Sequence, residues 1–276
     1  MLSPNPLARR VFGILILALA ATSTGDAQRR STFARSDSEC SRSWGDRDTE
    51  RVCSTRDVTI PATSLLRVDG RTNGGITVTG TSRRDVLIIA KIQTSARSEA
   101  RAEELAEEIR IHTEGGKIYA EGPDTRNRES WSVSFEIEVP AESDLDLRAG
   151  NGGLSVLGVT GTLRMETQNG GIHLESVGGD VIAETTNGGV QVDLDGDRWR
   201  GKGLEAITAN GGVRVNVPRD YSAHLETGTV NGSVDIDFPV MVQGRIGRRI
   251  STDLGRGGPT VRVTTTNGTV AIRRNR

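Results

Sequence analysis

From Leu145 onward, large apolar and polar residues alternate in blocks that recur around an Asn-Gly pair. Counting each block from six residues before its Asn, position one is Leu145, Leu163, Val181, Leu204, Leu225 and Val261. Position ten is Leu154, Ile172, Val190, Val213, Val234 and Val270, and position twelve is Val156, Leu174, Val192, Val215, Ile236 and Ile272. Position five is Ala or Thr throughout, whereas positions two, four, eleven and thirteen are mostly charged or polar. Period-two alternation sends successive side chains to opposite faces of a strand. Constant residue types at constant positions are what stacked layers require, because each inward side chain packs on its counterpart in the next layer.

The corner between the two strands of a block reads Asn-Gly-Gly at Asn151, Asn169, Asn187 and Asn210, with an early copy at Asn73 and variants at Asn231 and Asn267. From Asn151 the spacings are 18, 18, 23, 21 and 36 residues, the last being two units of 18. A fixed period near 20 marks a repeat architecture. Asn-Gly between alternating strands also signals hairpins, so an antiparallel meander competes, but the constant columns and preserved phase favour coils. Asn and Gly accept left-handed dihedrals with little strain, which suits a sharp corner. Layers about 4.8 Å apart allow successive Asn amides to hydrogen-bond as a ladder. Insertions at Trp199–Gly203 and Ser222–His224 fall on the rim opposite the Asn corner. Residues 243–260 fill one period, are rich in Gly and Arg, and keep the phase, so they read as a degenerate coil or an excursion.

Upstream, Leu66, Val68, Ile76 and Val78 flank the first Asn-Gly-Gly, Val86–Ile92 reads as a strand, and Trp131–Val139 alternates until Pro140. Between Ser95 and Arg110, Ala102, Leu105, Ala106 and Ile109 share one helical face, with Ser95 or Ser98 as N-cap. That helix is expected to cap the end of the array, where open strand edges invite aggregation. The expected fold is all-β: a single-chain parallel β-solenoid (β-helix) with coils of about 18 residues and one capping α-helix.

Residues 1–27 read as an export signal, with Arg9 and Arg10 before the apolar run Val11–Ala21 and small residues at Gly25 and Ala27. The run is short for a membrane span, and cleavage after Ala27 leaves none. Residues 28–57 are polar and aperiodic and read as a mobile segment carrying a Cys pair, followed by the solenoid domain at 58–276. Cys40 and Cys53, the chain's two cysteines, suit a disulfide in an exported protein, worth about 3 kcal/mol for a loop of that length. Losing Arg9, Arg10 and Asp26 with the leader moves the net charge from −1 to about −2, which supplies no field for nucleic acid. Aromatic residues are 3% of the chain, too few for a broad stacking platform.

Candidate chemistry is sparse. Asp193, Asp195 and Asp197 open like a calcium loop, but Arg198 and Leu204 stand where an EF-hand needs Gly and Glu. Glu175, Asp193 and Asp237 share an outward column. His112, His173 and His224 are scattered, and no metal spacing, nucleophile elbow or phosphate loop appears. Arg198, Trp199, Arg200 and Lys202 form a rim loop suited to a glycan or anionic polymer, or else the Trp folds back onto the core.

The Asn-Gly-Gly units, the Ser130-Trp131-Ser132-Val133 strand, the Trp199–Leu204 insertion and the Tyr221–Thr227 run resemble bacterial proteins with the DUF4097 domain, a family labelled as adhesin-like. The resemblance covers roughly residues 58–276. It implies a β-solenoid and an exported or envelope location, and brings no catalytic residues with it. The function expected is a non-enzymatic surface or envelope module without cofactor or metal, binding an envelope polysaccharide or another surface protein. The alternative is a carbohydrate-active lyase or hydrolase on a β-helix.

Overall fold

The computed structural model describes residues 33–35, 49–126, 128–237 and 248–274. The leader read at 1–27 and Cys40 lie outside the described residues. The described residues form two mixed sheets, of 11 and 10 strands, and one α-helix.

The body is a stack of layers, each contributing one strand to the 10-stranded sheet and, after the corner, one to the 11-stranded sheet. Layer one is Leu66–Asp69 with Ile76–Thr81, layer two Leu145–Ala149 with Leu154–Leu157, and layer three Thr160–Thr167 with Ile172–Glu175. Layer four is Gly178–Asn187 with Val190–Asp193, and layer five Gly203–Asn210 with Val213–Val217. Adjacent layers pair parallel and in register, so that Leu66, Leu145, Leu163, Val181 and Leu204 form one inward column. Ile76, Leu154, Ile172, Val190 and Val213 form another in the facing sheet. Both columns are buried, and Leu147, Val156, Leu174, Val192 and Val215 between them are fully so. Removing this apolar area from water, at about 25 cal/mol per Å², is the main force holding the layers together.

Chain order and stacking order diverge at the far end. Layer six is Thr260–Asn267 with Val270–Arg274, and layer seven is the earlier segment Ala223–Asn231 with Val234–Ile236. Val261 pairs with Leu204 on one side and Leu225 on the other. The return strand Arg249–Leu254 runs antiparallel along the outer edge of Ala223–Asn231, so the last unit enters from the inner side. Of the two readings of 243–260, a degenerate coil or an excursion, the described part fits the excursion: it is an antiparallel edge strand. The purely parallel array is corrected, because both ends carry antiparallel strands.

At the near end, Ser130–Pro140 pairs parallel with layer one, then antiparallel with Asp85–Ala96, which pairs antiparallel with Glu50–Pro61. The backbone of Phe33–Arg35 adds one more antiparallel strand. Glu50–Pro61 begins inside the segment read as a mobile tail. Val52 and Ser54 alternate inward and are buried, a period too short to stand out among polar neighbours. The helix, α1 (Glu99–Glu108), packs against these two outer strands and covers Val52 and Ala96 with Ala102 and Leu105. Ser98 caps it, accepting from the Arg101 N–H at 3.4 Å. Arg56 reaches over from Glu50–Pro61 and donates to the Ala106 carbonyl at 2.6 Å and to that of Ile109. A cation at the carbonyl end complements the helix dipole, and burial pulls this guanidinium's pKa down.

The corners turn without the expected left-handed Asn. Among the described residues, positive φ outside glycine occurs at Arg71, Arg128 and Ser176, and none of the corner Asn residues adopts it. The first glycine is required for a different reason. A Cβ on Gly152, Gly170, Gly188 or Gly211 would stand 2.0–2.2 Å from the corresponding carbonyl oxygen one layer back. The second glycine is much less tightly constrained. A Cβ on Gly171, Gly189 or Gly212 would meet a carbonyl at 3.3 Å, and Ser233 and Thr269 occupy this position in layers seven and six.

Candidate functional site

Two rows of side chains bind the layers along the corner. On the outside, each Asn Nδ2 donates to the Oδ1 of the next Asn. Asn151 donates to Asn73 at 3.0 Å, Asn169 to Asn151 at 2.7 Å, Asn187 to Asn169 at 2.8 Å and Asn210 to Asn187 at 3.0 Å. Asn267 then donates to Asn210, and Asn231 to Asn267, each at 2.8 Å, following spatial rather than chain order. All seven are exposed. On the inside, the Thr hydroxyls of position five donate to the first-glycine carbonyl of an adjacent layer. Thr167 reaches Gly152 at 2.9 Å, and Thr185, Thr208 and Thr265 reach Gly170, Gly188 and Gly211 at 2.8 Å. These hydroxyls are buried, with Thr208 fully so. The Ala-or-Thr pattern at position five was the one sequence trace of this second row.

Beside the corner, on the outer face of the 11-stranded sheet, lies an open groove of about 910 Å³. Its floor is the second-glycine column, Gly153, Gly171, Gly189 and Gly212, where the missing side chains leave backbone exposed. Its wall is the position-eleven column: Thr77, Ser155, His173, Gln191 and Arg214, with Arg273 at the far end. In-register stacking aligns the column, one residue per layer. No Asp or Glu lines the groove, although the chain holds 36 of them and has a net charge of −1.

Asp193 stands behind this wall. Its carboxylate takes His173 Nε2 at 2.8 Å, Gln191 Nε2 at 2.8 Å and the Asn216 amide. Burial pushes its pKa up, but the three donors outweigh burial and hold it below the ordinary aspartate value. The carboxylate thus fixes the imidazole and two amides in place, and its charge is spent on them. The expected acidic column is interrupted, since Asn216 and Arg273 stand between Asp193 and Asp237. Among the described residues, no group of three His, Cys, Asp or Glu residues is placed to hold a metal ion.

The rim loop read as a ligand contact is different in kind. Trp199 is 3% exposed and joins the core, and its indole donates to the Gly179 carbonyl at 3.1 Å. It is not available to a ligand, because its ring closes the flank opened by the five-residue insertion. Arg198, Arg200 and Lys202 remain exposed, with Lys202 on Asp180 at 3.0 Å and Arg198 by Asp197 at 3.6 Å. Cys53 lies in the strand Glu50–Pro61 and has no free thiol, whereas Cys40 lies outside the described residues. His224 sits between Asp253, at 2.7 Å, and Ser251, at 3.1 Å, on the return strand.

Layers, corner rows and groove define an all-β repeat protein that presents one regular polar furrow. The family model for Toastrack DUF4097 matches residues 71–273. The chain belongs to that family. Among solved structures it is similar to a putative cell adhesion protein from Clostridium sporogenes, at 13% identity, covering 80% of this chain and 100% of that one with a TM-score of 0.44. It is also similar to a putative adhesin from Bacteroides fragilis, at 12% identity, covering 81% and 97% with a TM-score of 0.36. Among curated proteins nothing matches. No described helix is long and apolar enough to cross a membrane.

Proposed function

We propose that this chain is an exported, non-enzymatic surface or envelope module that binds an extended ligand along the groove of the 11-stranded sheet. Its layer stack is read as a single-chain β-solenoid of about 18 residues per coil, α1 as its cap, residues 1–27 as a cleaved leader and Cys40–Cys53 as a disulfide. The observation carrying the binding role is the second-glycine column. The backbone constrains this position far less than the first glycine, with a Cβ at 3.3–3.4 Å from the next carbonyl, and Thr269 and Ser233 fit it, yet four successive layers keep the groove floor bare. A bare floor beside an aligned polar wall suits a ligand laid across the layers.

The test fills the floor with a residue the fold already accepts at Thr269. Gly171→Thr combined with Gly189→Thr is expected to keep the melting profile and abolish binding in a glycan and surface-protein screen that the unmodified chain passes. Undiminished binding by the filled variant would overturn the groove reading. Polymer turnover that is lost on His173→Ala would move the assignment to the carbohydrate-active enzyme.

A further inference from the structure

We propose that the groove takes an acidic polysaccharide, with Arg214 as the residue that holds its carboxylates. The proposal rests on the binding reading above and names its ligand class.

The charge of the groove points to an anion. Its lining contains Arg214, Arg273 and His173 and no carboxylate, against the sign of the whole chain. Of the groove's two arginines, Arg273 is held by Asp235 at 2.5 Å, much as Arg262 on the other sheet is clamped by Glu205 and Glu226 at 3.2 and 2.8 Å. Arg214 is exposed, and its side chain makes no ion pair or hydrogen bond among the described residues. Asp193, the acid behind His173 and Gln191 in the wall, already accepts from three donors. An unpaired guanidinium is a preorganised fork for a carboxylate.

The geometry separates a glycan from a peptide or a lipid. A peptide would bind such a sheet through main-chain pairing at an open edge. Here the carbonyls of the floor glycines are spent on the neighbouring layer: Gly153 accepts from Ile76 N–H at 3.0 Å, Gly189 from Ile172 at 2.9 Å and Gly212 from Val190 at 3.0 Å. The groove runs across the strands, offering an incoming backbone nothing to pair with. It is open along its length, so it encloses no volume for an acyl chain. What it does offer is a flat floor of bare glycine backbone on which ring faces can lie. Beside the floor stands one hydroxyl, imidazole, amide or guanidinium per layer, about 4.8 Å apart, a spacing comparable to one sugar ring. From Thr77 in layer one to Ala271 in layer six the wall spans five steps, roughly 24 Å, enough for several residues of a polymer.

The experiment is calorimetric titration of the full chain with hexagalacturonate, its carboxyl-reduced neutral counterpart and poly-L-glutamate of matched charge. Hexagalacturonate should bind and the other two should not. Arg214→Gln should weaken binding by about tenfold or more, since a lost charge-assisted contact is worth at least about 1.4 kcal/mol. Arg214→Lys should restore part of it, and added salt should weaken the unmodified chain more than the Gln variant. Circular dichroism and melting should not change, because Arg214 has no structural partner. Equal binding of the neutral oligomer, or indifference to Arg214→Gln, overturns the acidic class and leaves the groove reading standing. Equal binding of poly-L-glutamate overturns the saccharide. No binding of hexagalacturonate overturns the proposal outright.

Discussion

Thr208→Val should cost more than Asn187→Ala, although the Asn row is the more conspicuous fastener. Thr208 is fully buried, and its hydroxyl donates to the Gly188 carbonyl at 2.8 Å. Valine keeps the shape and removes the donor. The Gly188 carbonyl sits at a corner pressed by the next layer, with Gly211 so close that a Cβ there would lie 2.0 Å away. Water has little room to replace the hydroxyl. Leaving a buried acceptor unpaired costs about 1–3 kcal/mol, so about 2 kcal/mol is expected. Asn187→Ala removes two ladder bonds, at 2.8 and 3.0 Å. Both are exposed to solvent, and the backbone at Asn187 is not left-handed, so alanine adds no strain there. The expected loss is about 0.5–1 kcal/mol, the net worth of a typical hydrogen bond exchanged with water. At about 2–4 °C per kcal/mol for a chain of this size, the melting point should fall by about 4–8 °C for Thr208→Val and about 1–4 °C for Asn187→Ala. Asn73→Ala, at the head of the row with one ladder bond, should fall by less still. Thermal melts or urea curves at constant m-value would measure this. An Asn187→Ala loss equal to or larger than that of Thr208→Val would refute the assignment of the inner row as the stronger clamp.

Gly188→Ala places a methyl 2.0 Å from the Gly170 carbonyl and should destabilise by at least about 3 kcal/mol or prevent folding. Gly189→Ala, at 3.3 Å, should fall within about 1 kcal/mol of the unmodified chain in the same melt. Leu105→Ser with Ile109→Ser removes two buried side chains, 0% and 1% exposed, from the cap. It should promote aggregation visible by light scattering, and a soluble monomer with an unchanged melt would sink the capping role. Asp193→Asn tests linkage. The folded carboxyl is held below its ordinary pKa, so its contribution is complete above the unfolded value of about 3.9 and disappears as pH falls through the depressed value. The variant should be less stable near neutral pH, and the two melting points should converge as pH falls through the depressed value.

The layer body was legible because period-two alternation and a constant corner are local signals. Positions one, ten and twelve land in the core in every layer but the outermost, where Val234 and Ile236 are half-buried, and the register pairs Leu145 with Leu163 and Val181 with Leu204. The early unit at Leu66 stacks directly on Leu145 across the excursion at 82–144, which the shared motif suggested but spacing alone did not require. The order of the last two layers was hidden, because parallel units with the same pattern are interchangeable in sequence. Only the path of Arg249–Leu254 decides it. The strand Glu50–Pro61 was missed because its inward Val52 and Ser54 sit among charges. The groove was half visible. Position eleven read as outward and polar, but the difference between a glycine forced by contact and one that merely leaves space appears only when neighbouring carbonyls are in place. Trp199 drew notice beside its cations, yet its indole serves the core, since a large ring next to a gap gains more from burial than from solvent.

The displaced layer order has a consequence for how the protein is made. Residues 223–236 are synthesised before residues 260–274, yet the later segment lies between them and layer five. A nascent chain that has emerged as far as Ile236 holds layer seven's strands without the neighbours they need, and layer five with an open edge. Direct docking of one upon the other would close the stack early and shut the last segment out. Productive folding therefore waits for the late strands, whose pairings span 57 residues from Asn210 to Asn267 and 36 from Asn231 to Asn267. Such distant closures are slow and leave strand edges exposed meanwhile. Chains cut before Thr260 should therefore gain a misassembled or sticky end rather than simply lose one layer.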